Sequence, residues 1–160
     1  MAKTIRFFFF SLLILFFLNG CNTNNANVDK FEFKGSYIGD NSAVESIVKQ
    51  LPNGEHFKGF ELKTKEEPYG MILNYEGIEA EEIEKRYKET AIYNATFIFA
   101  LVQNAEWVTF NFKHQEYQLT IENLQGWYGK ELSEYSSEDE LRKLSQEYLE
   151  DENKVYDLLK

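Results

Sequence analysis

The residues of this chain best suited to chemistry are one cysteine and two histidines. Cys21 is the single cysteine of the 160 residues, so no internal disulfide can form, and its thiol can serve as a nucleophile, a ligand or an attachment point. His56 and His114 each fall in a predicted turn, whereas a transition-metal site needs several His, Cys or carboxylate ligands close together. We therefore expect two solvated imidazoles, no metal site and no cofactor.

Motifs of covalent and phosphate chemistry do not occur in the sequence. It contains neither the Gly-x-Ser-x-Gly elbow of serine hydrolases nor a glycine-rich phosphate loop. The segment Asp151-Glu152-Asn153 lacks the glycine and the closing glutamate of an EF-hand calcium loop. A hydrolase that uses two carboxylates stays open, because such pairs are defined by their separation in space and not in sequence.

Trp127 and Tyr128 form the most unusual local cluster, two adjacent aromatic side chains flanked by glycines. Residues 125–129 are predicted to form a loop, because Gly126 and Gly129 interrupt regular structure. Aromatic rings on such a loop can stack on a sugar or hold a peptide, although more often they close the end of a hydrophobic core. We favour the core placement and keep Trp127 and Tyr128 as candidate ligand contacts. No residue is assigned a catalytic role.

The first element of the chain, before all of these residues, has the pattern of an export signal. Lys3 and Arg6 precede the apolar residues 7–18, in the order of charged and apolar regions typical of signal peptides. As a helix this apolar run is about 18 Å long, well short of the roughly 30 Å hydrocarbon layer of a membrane. Residues 1–20 are therefore predicted to be a signal peptide.

The end of this segment, Leu18-Asn19-Gly20-Cys21, resembles the lipobox of bacterial lipoproteins. The resemblance implies that a diacylglycerol is attached to the Cys21 thiol, that residues 1–20 are removed, and that the protein is held at the extracytoplasmic face of the cell membrane. Two or three acyl chains, at about 0.8 kcal/mol per buried CH₂, anchor a protein durably. Residues 21–30, rich in asparagine, are then the lipid anchor and a polar tether. An uncleaved signal anchor and a soluble secreted product remain as alternatives.

The net charge of the chain after removal of residues 1–20 argues against some classes of binding partner. Lys3 and Arg6 are the charged residues before Cys21, so removal of residues 1–20 leaves 15 basic and 27 acidic side chains, a formal net charge of −12. Such a domain is repelled by phosphate backbones, which argues against nucleic acid as a partner. It is also repelled by anionic lipid, so attachment to a membrane requires something other than surface charge.

Residues 31–160 are predicted to form a single α+β domain. The spacing of apolar residues predicts, in order, a short N-terminal helix after Asp40, a hairpin turning at residues 66–68, a long central helix over residues 78–103, a hairpin turning at residues 113–116, and a C-terminal helix after Ser137. Two hairpins and three helices pack economically as a mostly antiparallel four-stranded sheet with helices on one face.

Two details of the predicted helices depend on charged residues. The segment Glu79-Ala80-Glu81-Glu82 is assigned to the first turn of the central helix, where the helix dipole favours negative charge. The C-terminal helix is expected to bend near residues 151–153, because the apolar stripe is interrupted there.

Several sequence segments between residue 31 and about residue 149 resemble those of a family of extracytoplasmic domains of unknown function found in Gram-positive lipoproteins. The matching segments are Tyr37-Ile38-Gly39-Asp40-Asn41-Ser42, Leu51-Pro52, Glu67-Pro68-Tyr69-Gly70, the helix end from Asn94 to Asn104, and Tyr128-Gly129-Lys130-Glu131-Leu132. In that family similar domains are also attached to metallopeptidase sensors like those that detect beta-lactams. The zinc motif His-Glu-x-x-His does not occur in this sequence. The resemblance therefore implies a sensory or binding accessory and supplies no catalytic residues.

These observations lead us to expect a non-enzymatic lipoprotein domain outside the membrane that binds a peptide, a wall fragment or an envelope protein. A small cell-wall hydrolase with paired carboxylates is one alternative. A structural accessory that only modulates a membrane partner is another. No residue pattern indicates a particular ligand or oligomeric state.

Overall fold

The computed structural model describes residues 29–159 of the chain. Its helices and strands, in chain order, are α1 (Asn41–Gln50), β1 (Phe57–Lys63), β2 (Gly70–Tyr75), α2 (Ile83–Leu101), β3 (Trp107–Phe112), β4 (Gln115–Thr120), α3 (Ile121–Tyr128), α4 (Glu138–Leu149) and α5 (Glu152–Leu158). Short 3₁₀-helices cover Lys30–Phe33, Gly54–His56 and Leu132–Glu134. The predicted signal peptide, Cys21 and most of the tether lie outside the described residues. The predicted α+β class is confirmed.

Among the described residues, four strands form one sheet in the order β1-β2-β3-β4. β1 pairs with β2, and β3 with β4, in the two predicted antiparallel hairpins. The hairpins meet through a parallel pairing of β2 with β3, which runs from Gly70 beside Trp107 to Tyr75 beside Phe112. Parallel neighbours need a long crossover connection, and α2 lies in that connection. The mostly antiparallel sheet is therefore confirmed, with its parallel pair at the centre.

Alternation along the strands gives the sheet an apolar face. The inward side chains of the two central strands are buried: Met71, Leu73, Tyr75, Val108, Phe110 and Phe112. α2 packs on this face, where the Tyr87 ring stacks on Phe112 with ring centroids 4.2 Å apart. Full burial of an apolar side chain of this size contributes roughly 1.5–3 kcal/mol, so this layer is the main stabilising contact of the domain.

The opposite face of the sheet carries polar side chains that bond to one another. Asn111 Nδ2 donates to Asn74 Oδ1 at 2.9 Å, and Gln118 Nε2 donates to Thr109 Oγ1 at 3.3 Å. Asn111 and Gln118 are exposed. This polar face agrees with the predicted packing of helices on the other side of the sheet.

The central helix α2 begins later than predicted, at Ile83. The expectation that residues 79–82 form its first turn is wrong, because Ile78 is buried in the core and the exposed acidic residues after it turn before the helix starts. Glu82, at the N-cap, makes no side-chain capping bond. From residue 90 to residue 101 every side chain except that of Tyr93 is buried. The helix therefore begins in solvent and ends in the core.

α3 takes the place of a predicted loop. The Thr120 hydroxyl accepts a backbone N–H of the first turn at 3.1 Å, and the helix ends at Gly129, whose φ is 65°. Leu124 and Tyr128, four residues apart, are both buried. Their burial, at roughly 1.5–3 kcal/mol each, outweighs the approximately 1 kcal/mol that Gly126 costs a helix. The prediction of a loop over residues 125–129 is therefore wrong.

The predicted caps and the predicted bend of the C-terminal helix are confirmed. Asp40 accepts the Ala43 N–H at 3.0 Å and caps α1, and the Ser137 hydroxyl accepts a backbone N–H of α4 at 3.3 Å. The helix is divided at Glu150, and Asp151 caps α5 by accepting two backbone N–H groups of its first turn. The division leaves α5 as a short separate helix whose position depends on side-chain contacts.

Candidate functional site

Tyr128, one of the two aromatic residues predicted as ligand contacts, is buried in the core. Its side chain is 2% exposed, and its hydroxyl shares a hydrogen bond of 2.9 Å with the Thr96 hydroxyl of α2. Burial raises the pKa of Tyr128 to about 12, and bonds from Thr96 and Ser145 offset part of that rise. Tyr128 therefore occupies the core position that the sequence favours, and it presents almost no surface to a ligand.

Trp127 lies at the junction of the last three helices. Its indole N–H donates to the carbonyl oxygen of Lys154 in α5 at 3.1 Å. Its ring centroid lies 4.8 Å from that of Tyr128 and 4.9 Å from that of Tyr148 in α4. The Tyr148 hydroxyl donates to the carbonyl oxygen of Tyr128 at 3.0 Å. These three aromatic residues, the Trp127 cluster, hold α5 against the body of the domain, and a direct ligand contact by Trp127 stays a prediction.

A groove of about 490 Å³ opens between the first turns of α2 and the segment formed by the end of α4 and α5. Trp127, Tyr128 and Tyr148 do not line it. Its apolar lining comes from Ile83 of α2, Leu149 of α4, and Val155 and Tyr156 of α5. Tyr156 is 61% exposed, the most exposed large apolar side chain among the described residues. This volume accommodates a few side chains of a ligand.

Ion pairs line the rim of the groove. Lys85 of α2 and Glu152 of α5 pair across it, with 2.6 Å between Nζ and Oε1. Lys88 pairs with Glu84 on the same helix at 2.7 Å, and its ammonium lies 5.7 Å from the centroid of the Tyr156 ring. The hydrogen bond and the charge of Glu152 raise the pKa of Lys85, and Lys85 in turn lowers the pKa of Glu152. Both groups therefore stay charged at neutral pH.

The groove as a whole is acidic. Four glutamates (Glu82, Glu84, Glu89 and Glu152) and two lysines line it, which gives a formal net charge of −2. Glu82 and Glu89 also contribute to the raised pKa of Lys85. The lining combines an apolar floor with a negatively charged rim, an arrangement that suits an apolar segment carrying positive charge.

Two carboxyl groups of the described residues have pKa values lowered by a neighbouring lysine. The pKa of Glu61 is lowered by Lys63, and that of Glu152 by Lys85. A general acid acting at neutral pH needs the opposite shift, a pKa raised by burial or by a second carboxylate. Glu152, which lines the groove, is therefore ionised at neutral pH.

The groove lies away from the point where the chain enters the domain. Lys30 pairs with Glu138, the first residue of α4, with 2.7 Å between Nζ and Oε1. The groove is lined by Leu149, the last residue of the same helix. A helix of 12 residues is about 18 Å long, so the two features lie at opposite ends of α4.

The histidines lie apart from the groove. His56 is half-buried, with Nδ1 3.2 Å from the carbonyl oxygen of Glu76, and His114 is exposed in the turn between β3 and β4. Within residues 29–159, no group of three or more His, Cys, Asp or Glu side chains is placed to hold a metal ion. In the same range, none of the helices has the length and apolar character needed to cross a membrane.

Sequence patterns did not reveal the groove. Lys85 and Glu152, which face each other across it, are 67 positions apart, and no local spacing relates them. Tyr148 follows Leu144 by four residues, the spacing of one helix face, and this is the signal that could have placed it toward the core beside Trp127.

Comparison with known proteins identifies the family of the domain. No curated protein and no solved structure matches the chain significantly. The family model described as a domain of unknown function, DUF4825, matches residues 31–122. This match spans the sheet, α1 and α2, and it ends at the start of α3, so one wall of the groove lies inside it and the other beyond it. The match covers more than half of the residues of the chain, and the chain therefore belongs to the DUF4825 family of domains of unknown function.

Proposed function

We propose that the protein is a lipid-anchored module at the extracytoplasmic face of the cell membrane that binds a peptide segment of an envelope protein without catalysing a reaction. The observation that carries this proposal is the groove between α2 and α5, with its apolar lining and exposed Tyr156. Exposed apolar surface rimmed by polar side chains is typical of an interaction site.

The position of the groove supports this function. If Cys21 is the lipid-bearing terminus, the chain between it and Asp29 reaches at most about 28 Å, at roughly 3.5 Å per residue. The tether then joins the domain beside the first residue of α4, where Lys30 pairs with Glu138, and the groove lies at the other end of α4, beside Leu149. This separation keeps the groove apart from the anchor, where a partner outside the membrane can reach it.

The charges of the groove support binding over hydrolysis. Glu152 is paired with Lys85 and its pKa is lowered, so it does not hold a proton at neutral pH for donation to a leaving group. The same pair gives the rim fixed charges that can orient a ligand.

The anchor is tested by Cys21→Ser. We expect this variant to lose metabolic labelling by a fatty acid and to leave the membrane fraction, because the thiol that carries the lipid is gone. Unchanged labelling and fractionation would contradict the anchor.

The binding role is tested by position-specific photocrosslinking in cells. A benzophenone amino acid replaces Tyr156 in the groove, and in a matched control it replaces Tyr37, which is 58% exposed and lies near the start of the domain. We expect a discrete crosslinked envelope protein from position 156 that is absent from position 37. Identical products from both positions, or none from position 156, would rule out the groove as the binding site.

A further inference from the structure

The apolar floor of the groove sets the size of what it can hold. Ile83, Leu149 and Val155 lie on it, and Tyr156 stands at its edge. Its volume of about 490 Å³ admits two or three apolar side chains, and α5, with seven residues, is about 10 Å long. A segment of about two helical turns is therefore the natural occupant.

The charged side chains at the rim of the groove determine whether a ligand should carry positive or negative charge. Each lysine of the groove already has a carboxylate partner, Lys85 with Glu152 and Lys88 with Glu84. The lining has two more carboxylates than lysines: Glu82 is a second, more distant partner of Lys85 at 3.8 Å, and the charge of Glu89 also acts on Lys85. The two lysines therefore do not neutralise the four carboxylates, so the rim attracts an added cation and repels an added anion.

The field of the whole domain has the same sign. With residues 1–20 removed, the chain has a formal net charge of −12, which attracts cationic ligands from a distance and repels anionic ones such as acidic lipid headgroups or phosphate-bearing polymers.

We propose that the groove binds a short cationic amphipathic peptide segment, with two or three apolar side chains on Ile83, Leu149 and Val155 and lysine or arginine side chains beside Glu82, Glu89 and Glu152. This inference rests on the proposed function, because it names the ligand class of the same groove. The inference excludes two other occupants: an apolar peptide that carries carboxylates, and an apolar peptide without charge.

The first test compares three fluorescein-labelled peptides of about twelve residues. One has leucines on one helical face and lysines on the other, the second has glutamates in place of the lysines, and the third has serines in place of the leucines. The full chain in a nonionic detergent is titrated into each peptide, anisotropy is recorded, and a titration with micelles alone is subtracted. We expect the lysine and leucine peptide to bind at least roughly tenfold more tightly than either of the others, because it alone satisfies both floor and rim.

The second test uses variants of the chain with the same peptide. The double change Glu82→Gln and Glu152→Gln removes two rim charges, and Ile83→Ser alters the floor. Glu45→Gln is the matched control, because Glu45 is an exposed partner of Lys49 at 2.6 Å on α1. We expect the rim variant to weaken binding roughly tenfold or more and the control to leave it unchanged. Circular dichroism of each variant checks its fold, and the rim variant keeps the test decisive if Ile83→Ser does not fold.

The outcomes separate this inference from the proposed function. If the glutamate peptide binds as tightly as the lysine peptide and Ile83→Ser weakens both, the inference about charge is overturned and the groove remains a binding site. If the lysine peptide does not bind, or binds wild type and the rim variant equally, the inference is overturned, and crosslinking at Tyr156 decides the proposed function independently.

Discussion

The two halves of α2 lie in opposite environments within one continuous helix. From residue 90 onward it is buried on nearly all sides, while its first turns carry Lys85, Lys88 and Glu84 at the surface. The buried half also forms hydrogen bonds with the rest of the core: Asn94 Nδ2 donates to the Tyr75 hydroxyl, and the Thr96 hydroxyl shares a bond with the Tyr128 hydroxyl. The half of α2 that stabilises the core is therefore separate from the half that lines the proposed binding groove, and we expect that each can be changed without the other.

The largest effect on stability is expected when an isoleucine in the buried half of α2 is changed to alanine and compared with the same change in the exposed half. Ile98 is 1% exposed, and Ile98→Ala should lower the free energy of unfolding by about 2–5 kcal/mol through lost burial and a residual cavity. Ile83, half-buried at the groove, should lose no more than about 1.5 kcal/mol on the same change. Urea denaturation of both variants measures the difference. Equal losses would show that the two halves are not energetically distinct.

A smaller effect is expected at alkaline pH. Tyr75 and Tyr128 reach the buried half of α2 with their hydroxyls, at Asn94 and Thr96, and burial raises the pKa of both, that of Tyr128 to about 12. A raised pKa means that the folded state prefers the neutral phenol, so this contribution is complete below pH 10 and is lost as the pH rises toward 12. For Tyr128 it amounts to about 2–3 kcal/mol.

Denaturant unfolding between pH 9 and about pH 12 measures this loss. The Tyr128→Phe variant should show a shallower decline over the same range, although it starts about 1 kcal/mol lower for want of its hydrogen bond to Thr96. A wild-type stability that stays flat above pH 10 would contradict the assignment of these hydroxyls to the core.

The smallest effect on stability is expected at the exposed half. Glu152→Gln breaks the pair with Lys85, but both groups are solvated, and we expect no measurable change in the urea midpoint, as for Glu45→Gln on α1. The change should instead be seen in peptide affinity and in its salt dependence, because screening acts on the same charges. A clear loss of stability would show that the bridge between α2 and α5 is structural.

Local patterns predicted the elements that depend on neighbouring residues. Asp40 and Ser137 were identifiable as caps because helix starts are governed by side chains within one turn. The two hairpins followed from alternation on either side of short turns. α3 was missed because the two glycines around Trp127 suggested a loop, whereas Thr120 at the cap and the spacing of Leu124 and Tyr128 were the informative signals.

The groove and the parallel strand pair could not be predicted in this way. Both depend on contacts between segments that are distant in sequence, Lys85 with Glu152 in one case and β2 with β3 in the other. Periodicity shows which face of an element is apolar, but it does not show which distant element covers that face. Trp127 was identified as a candidate because it is one of two adjacent aromatic residues flanked by glycines. Its position against α5 follows from its hydrogen bond to the carbonyl oxygen of Lys154.

The parallel pairing of β2 with β3 has a consequence for the order in which the chain folds. Each hairpin closes a short loop and can form by itself within microseconds, but the two can join only after the intervening chain has folded back across the sheet. The docking of α2 is therefore expected to be the slow step of folding. Substitutions in its second half, such as Ile98→Ala, should slow refolding, whereas substitutions in its first turns should leave the refolding rate unchanged.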